Sequence, residues 1–193
     1  MNERSSDMEH DRVCPASHAG HLDSLIRRLI QSPKRITDRF IGEGDTVIDI
    51  GCGPGFFSCP MVRMVGHCGN VIAIDLQEEM LSILREKADK EGLSSIIEPR
   101  KAELDTLNIG CRVEADFALA FYVMHELPDI ETALHEIYEA LLPGARMLIA
   151  EPTMHVSERE FDETCRLADV AGFVLVEKPH ILFSRSVVLE KMS

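Results

Sequence analysis

Apolar residues recur along this chain in two rhythms. At Leu22, Leu25, Ile26, Leu29 and Ile30 they fall three and four apart, one stripe of an amphipathic helix. Ser32-Pro33 then reads as an N-cap with proline at the first position of a second short helix, which carries Ile36, Phe40 and Ile41. Past the turn Gly42-Glu43-Gly44-Asp45, short and nearly continuous apolar runs take over. Thr46–Ile50, Val71–Asp75, Ile96–Ala102, Asp116–Tyr122, Ala145–Glu151, Phe173–Glu177 and Leu182–Leu189 read as strands. Pro99 places the third of these at a sheet edge, because proline cannot donate to a ladder. Helical spacing fills the gaps: one helix from near Gly55, one from Glu78 to about Glu91 stopped by Gly92, and one capped by Asp129. That third helix carries Ile130, Leu134, Ile137 and Leu141 on one face and is ended by Pro143-Gly144. A fourth, opened by the capping box Ser157-Glu158-Arg159-Glu160, runs to Gly172. Strand and helix in alternation, with apolar strands, predict an α/β fold with a mostly parallel sheet covered by helices on both faces.

Composition narrows the class. The chain has 193 residues, 45% hydrophobic and 27% charged, ordinary for one globular domain. Residues 1–12 read as a flexible tail, 13–41 as an N-terminal helical cap and 42–193 as the main domain. No apolar run approaches the ~18 residues of a membrane span, and the first residues lack an apolar signal core, so the expectation is a cytoplasmic protein without a membrane partner. Net charge is −13, and the only basic cluster is Arg27, Arg28, Lys34 and Arg35, which argues against a nucleic-acid partner. Six cysteines form no CxxC pair and no His/Cys cluster, so free thiols and no metal site are expected.

The candidate chemistry begins at TVIDIGCGPGFFS, Thr46 to Ser58. Gly51, Gly53 and Gly55 stand where the first strand turns into a helix, the position at which parallel sheets bind ligands and a helix N-terminus offers unpaired N–H groups. Glycine there lets the main chain turn sharply and approach a ligand. Asp75 ends the second strand 20 residues beyond Gly55, where a carboxylate accepts hydrogen bonds from ribose hydroxyls. The cofactor therefore carries adenosine. The dinucleotide pattern requires a third glycine at position 56, which is Phe56 here, and Asp49 before the loop would repel a pyrophosphate but attract an ammonium. Both features favour S-adenosylmethionine over NAD.

With VIDIGCGPGFFS, VIAIDLQEEML, and ADFALAFYVMHELPD followed by LLPGARMLIAEP, the chain resembles the class I S-adenosylmethionine-dependent methyltransferases, closest to their small-molecule branch. The resemblance covers residues 44–152 by motif and 153–190 by topology. It implies a Rossmann-like, doubly wound sheet of seven strands, whose antiparallel last strand inserts between the fifth and sixth. It also implies S-adenosylmethionine as methyl donor and S-adenosylhomocysteine as product. Asp49 and Gly51 would flank the methionine moiety, Asp75 would hold the ribose, and Leu76 would pack on the adenine. Glu103 and Leu104 would meet the adenine edge, although the family has Gly-Asp where this chain has Ala102-Glu103. Phe121 would lie beneath the sulfonium.

For the acceptor the residues offer candidates rather than a motif. His125 reads either as a proton acceptor for the nucleophile or as a cap at the pocket edge. Tyr122 reads as pocket wall or core aromatic, and Glu126, His155 and Cys14 as substrate contacts or packing residues. Glu151 reads, like Glu126, as a carboxylate that burial alone would explain. Methyl transfer is an in-line displacement in which positioning supplies most of the acceleration. A small-molecule acceptor is the first reading, and a thiol or thiol-bound metalloid ranks behind it. A nicotinamide-dependent oxidoreductase and a non-catalytic cofactor-binding module stand as rivals from other classes. The oligomeric state is not encoded.

Overall fold

A computed structural model of the chain describes residues 31–110 and 112–192. The expected tail, most of the expected helical cap, the 22–30 helix and Cys14 lie outside the described residues. In order, the chain runs α1 (Pro33–Thr37), β1 (Thr46–Ile50), α2 (Ser58–Val65), β2 (Asn70–Asp75), α3 (Glu78–Glu91) and β3 (Ile97–Lys101). It continues through β4 (Ala115–Phe121), a 3₁₀ turn (Met124–Glu126), α4 (Ile130–Ala140), β5 (Leu141–Pro152), α5 (Glu158–Val170), β6 (Phe173–Glu177) and β7 (Ser184–Lys191).

These strands form one seven-stranded sheet in the order β3-β2-β1-β4-β5-β7-β6. β7 inserts between β5 and β6 and is antiparallel to both, while the other neighbours run parallel. Successive strand residues point to opposite faces, and the core divides accordingly. Val47, Phe117, Leu119 and Leu148 face α2 and α3; Ile48, Ala118, Met147 and Ile149 face α4 and α5. Strand order reverses between β1 and β4, so the crevice outside their carboxyl ends is where a ligand would sit. Among the described residues no helix is long and apolar enough to cross a membrane.

Several boundaries depart from the sequence expectation. α1 stops at Thr37, so Phe40 and Ile41 lie beyond it, and α4 stops at Ala140, so Leu141 is not on its face. Four further shifts have a local reason. α2 begins at Ser58 rather than near Gly55, because Gly55 has φ +81°, outside helical geometry. β5 begins at Leu141, and Pro143-Gly144 lies inside it as an irregularity: the register jumps between Ala115↔Leu141 and Phe117↔Arg146. α5 stops at Val170, ahead of Gly172 at φ +106°. β7 begins at Ser184 because Phe183, at φ +61°, breaks the extended backbone before it. Elsewhere the expected devices are present. Gly92 caps α3 in the left-handed conformation, Asp129 caps α4 by accepting from Thr132 N–H, and Ser157 and Glu160 close a reciprocal capping box on α5.

Candidate functional site

The carboxyl ends of β1, β2, β4 and β5 open into a cavity of about 490 Å³, within the range of small-molecule sites. The glycine loop forms one side of it; all three glycines have positive φ, and what a side chain would meet differs between them. A Cβ on Gly51 would lie 2.4 Å from Val123 Cγ2, and one on Gly55 would lie 2.4 Å from Leu84 Cδ1. Those two are small so that the loop after β4 and helix α3 can pack against it. Gly53, at φ +51°, would carry a Cβ with nothing within 4 Å, so here the bare main chain faces open space.

Behind Gly53 stands Asp75. One of its carboxylate oxygens accepts the Gly53 N–H at 2.8 Å and the other the Gln77 N–H at 2.9 Å. Burial raises its pKa, opposed by those backbone hydrogen bonds. The carboxylate is thus fixed in direction, with lone pairs left on both oxygens for two adjacent hydroxyls. Asp49, 2% exposed, points to the α2 face and accepts from the Ser58 hydroxyl at 2.5 Å. Burial, assisted by the negative charge of Asp75, pushes its pKa from 3.8 to about 7 against the effect of that hydrogen bond. Among the described residues no Lys or Arg forms an ion pair with it. An acid held in this way suits a ligand that brings its own positive charge. Open main chain at Gly53, an oriented carboxylate at Asp75 and an uncompensated acid at Asp49 together fit the ribose and ammonium of an S-adenosylmethionine molecule.

Leu76, Glu103 and Phe121 also line the cavity. Phe121 packs between Phe57, at 4.6 Å between ring centroids, and Tyr122, at 4.4 Å, each ring tilted against it. Glu103 is held by its N–H to Thr106 O at 2.9 Å. Leu104 is 69% exposed and borders a shallow neighbouring depression rather than the cavity. Cys52 is buried at the cavity wall with its thiol pKa well above the usual value, because burial opposes the thiolate. A buried protonated thiol is a poor ligand for a metalloid.

The opposite side is built from β4, β5 and the loops after them. Tyr122 follows β4 at φ +65°, a conformation rare for an aromatic residue. Its N–H donates to Ala150 O at 2.8 Å, and its hydroxyl bonds Ser184 Oγ at 2.7 Å and the amide of Gln31. His125 directs Nδ1 at Glu151, whose other oxygen accepts the Met124 N–H at 2.9 Å. Glu126 and His155 also border the cavity. The sequence reading did not single out Gln31 or Ser58, and it gave Glu151 only a structural place. An acid at the end of a strand, the signal that marked Asp75, is also present at Glu151. For Gln31, 91 residues from Tyr122, no local signal exists.

Comparison with known proteins bears on both sides. Residues 47–144 match the model of a family described as a methyltransferase domain. The ubiquinone/menaquinone biosynthesis C-methyltransferase UbiE of Enterobacter sp. is 31% identical over 111 residues, which are 58% of this chain and 44% of that protein. The chain thus matches under half of that relative's length. A crystal structure of a SAM dependent methyltransferase from Aquifex aeolicus aligns with a TM-score of 0.80 and 26% identity, covering 92% of this chain and 99% of that one. A putative rRNA-methylase from Clostridium thermocellum aligns with a TM-score of 0.68 and 20% identity, over 86% of this chain and 96% of that one. At that identity the likeness is one of fold alone.

Proposed function

The chain belongs to the methyltransferase domain family, and from that premise we propose that it is an S-adenosylmethionine-dependent methyltransferase whose methyl acceptor is a small molecule free of phosphate. The observation that carries the proposal is the charge of the cavity wall. Asp49, Asp75, Glu103 and Glu126 line it, and among the described residues no Lys or Arg does. Phosphodiester acceptors are held by cations that displace counterions. On the acceptor side the carboxylate among these four is Glu126, and no Lys or Arg among the described residues stands in the wall to hold a phosphate. The family assignment speaks against the nicotinamide-dependent alternative, and turnover with an acceptor separates this reading from a non-catalytic cofactor-binding module.

When bound, the donor supplies a methyl group on a sulfonium whose departure leaves a neutral thioether. The residues' task is to hold, orient and exclude water. In our reading Asp75 takes the two ribose hydroxyls, and Gly53 lets the main chain come within contact of the sugar. Asp49 and Gly51 flank the methionine end, Leu76 packs on the adenine, and Glu103 meets its edge, whereas Leu104, outside the cavity, takes no part. Phe121, wedged between Phe57 and Tyr122, closes the floor beneath the methyl group. Tyr122, His125, Glu126 and His155 surround the position from which the acceptor attacks. Fixing the acceptor in line with the methyl group supplies most of the acceleration, since effective molarities reach roughly 10⁵–10⁸ M.

The test incubates the full chain with labelled S-adenosylmethionine and two sets of acceptors. One is a panel of small metabolites, with quinone precursors included because the 31%-identical relative is a ubiquinone/menaquinone biosynthesis C-methyltransferase; the other is ribosomal and transfer RNA. Label should appear in a small acceptor and not in RNA. Methylated RNA with an unlabelled panel would overturn the reading.

A further inference from the structure

Glu151 ends the inner strand β5 at 1% exposure, and both of its oxygens are engaged. Burying a carboxylate costs several kcal/mol unless it is paired and hydrogen-bonded. The Met124 N–H alone could be satisfied by a neutral side chain, so the charge is explained by its second partner, His125 Nδ1. A carboxylate accepts and does not donate, so it holds the imidazole with hydrogen on Nδ1. The remaining nitrogen, Nε2, then lies on the far edge of the ring, 4.0 Å from Glu126 Oε1 and beside the cavity that both residues border.

We infer that Glu151 is a positioning residue that fixes the proton of His125 on Nδ1, so that Nε2 takes the proton of an acceptor whose nucleophilic atom carries hydrogen, such as a phenol, enol or thiol. The inference rests on the small-acceptor reading above. The acceptor's electron pair forms the bond to the methyl carbon as the carbon–sulfur pair leaves with sulfur. The acceptor's proton passes to Nε2 and then to solvent. Among the described residues, Glu126 on the same turn, His155 with its ring centroid 6.4 Å away on the loop after β5, and Glu160 on α5 are the other titratable groups facing His125. The hydrogen bond to Glu151 raises the imidazole pKa above 6.5; burial opposes it, and Glu126 and Glu160 add to the rise. The acid limb of turnover therefore sits higher than for a free histidine.

Glu151→Gln provides a sharp test because its geometry is determined. The Met124 N–H needs the amide oxygen, so the amide NH₂ faces Nδ1 and forces hydrogen onto Nε2. Nitrogen-edited NMR of the His125 ring, assigned by loss of its signals in His125→Gln, reads the tautomer without any acceptor. Wild type should show a bare Nε2, and Glu151→Gln the reverse. With acceptors from the small-molecule panel, both variants should lose tenfold or more in kcat. The S-adenosylhomocysteine dissociation constant should stay within about twofold in both, and KM within about twofold in Glu151→Gln, which removes no contact with the acceptor. The deficit should shrink for acceptors already ionised, and the acid limb should move downward in Glu151→Gln. An unchanged tautomer, or the same deficit for ionised and protonated acceptors, overturns the inference. If S-adenosylhomocysteine binds but no panel member is methylated, the small-acceptor reading fails, and the ring-nitrogen result still decides the place of Glu151.

Discussion

The two sides of the cavity are held by different kinds of structure. The β1–β2 side is made of main chain and strand-end acids: Gly53 N–H on Asp75, Gln77 N–H on Asp75, Ser58 on Asp49, all between neighbouring elements. The β4–β5 side is made of side chains that depend on distant ones. Tyr122 leans on Ser184 and Gln31, and His125 on Glu151. The first side is complete within one βαβ unit and recognises something that does not vary. The second can change its specificity by changing residues that never touch the acceptor, and that is where methyltransferases of one fold would diverge.

The widest separation between the sides is expected at Asp75. Asp75→Ala should weaken S-adenosylhomocysteine binding about 100-fold or more in calorimetry, since two hydrogen bonds to a charged group contribute ~1.5–3 kcal/mol each. Asp105→Ala, at an exposed acid of the nearby loop, should leave affinity unchanged, and equal losses in the two variants would remove Asp75 from the ribose. The glycines sharpen the same point. Gly51→Ala should lower the melting temperature most, because its Cβ would overlap Val123. Gly53→Ala has open space before it and should lose cofactor affinity ahead of stability, the left-handed backbone alone costing ~1–2 kcal/mol.

That division also explains what the sequence could reveal. The sheet, its Pro99 edge strand, the caps at Asp129 and Ser157, and the glycine loop with an acid 20 residues on are all written within short windows. The antiparallel β7 came only with the family resemblance, because no local period encodes strand order. The loop glycines were legible as a motif but not by cause: two of the three are also required by the close approach of Val123 and Leu84. Glu151 sits 26 residues from His125 and Ser184 62 from Tyr122. Pairs so distant are brought together by the folded sheet, so the acceptor side was visible only as isolated candidates.

Asp49 gives the next largest effect, and it separates the sides by pH. Its pKa is raised in the fold from 3.8 to about 7. The folded state therefore holds more protons than the unfolded chain between those values, and stability falls as pH rises from about 4 through 7. The contribution is at most on the order of 4 kcal/mol. Asp49→Asn removes the titrating group, so its denaturation midpoint should gain on wild type across that interval. In wild type, S-adenosylhomocysteine affinity should rise as pH passes through about 7 and the carboxylate forms opposite the ligand's ammonium. In Asp49→Asn the affinity should be weaker and flat. A wild-type affinity that does not change over that interval would detach Asp49 from the ammonium.

The smallest effect is expected at Tyr122, where the sides touch through the ring of Phe121. Tyr122→Phe keeps the ring, and so the 4.4 Å tilted contact with Phe121 that closes the cofactor side. It removes the hydroxyl that joins Ser184 to Gln31. Ser184 retains Leu182 O at 3.3 Å, but Gln31, 6% exposed, loses the partner of its amide. A buried polar group so deprived costs ~1–3 kcal/mol, which for a chain of this size lowers the melting temperature by several degrees. If the two sides are separable, S-adenosylhomocysteine affinity stays within twofold while KM for the methyl acceptor rises a few-fold, because the hydroxyl supports only the acceptor wall. Should calorimetry instead find cofactor affinity falling as far as acceptor KM rises, the hydroxyl network would be shared. Phe121 would then transmit the position of Gln31 and Ser184 to the donor, and the cavity would have to be treated as one site rather than two.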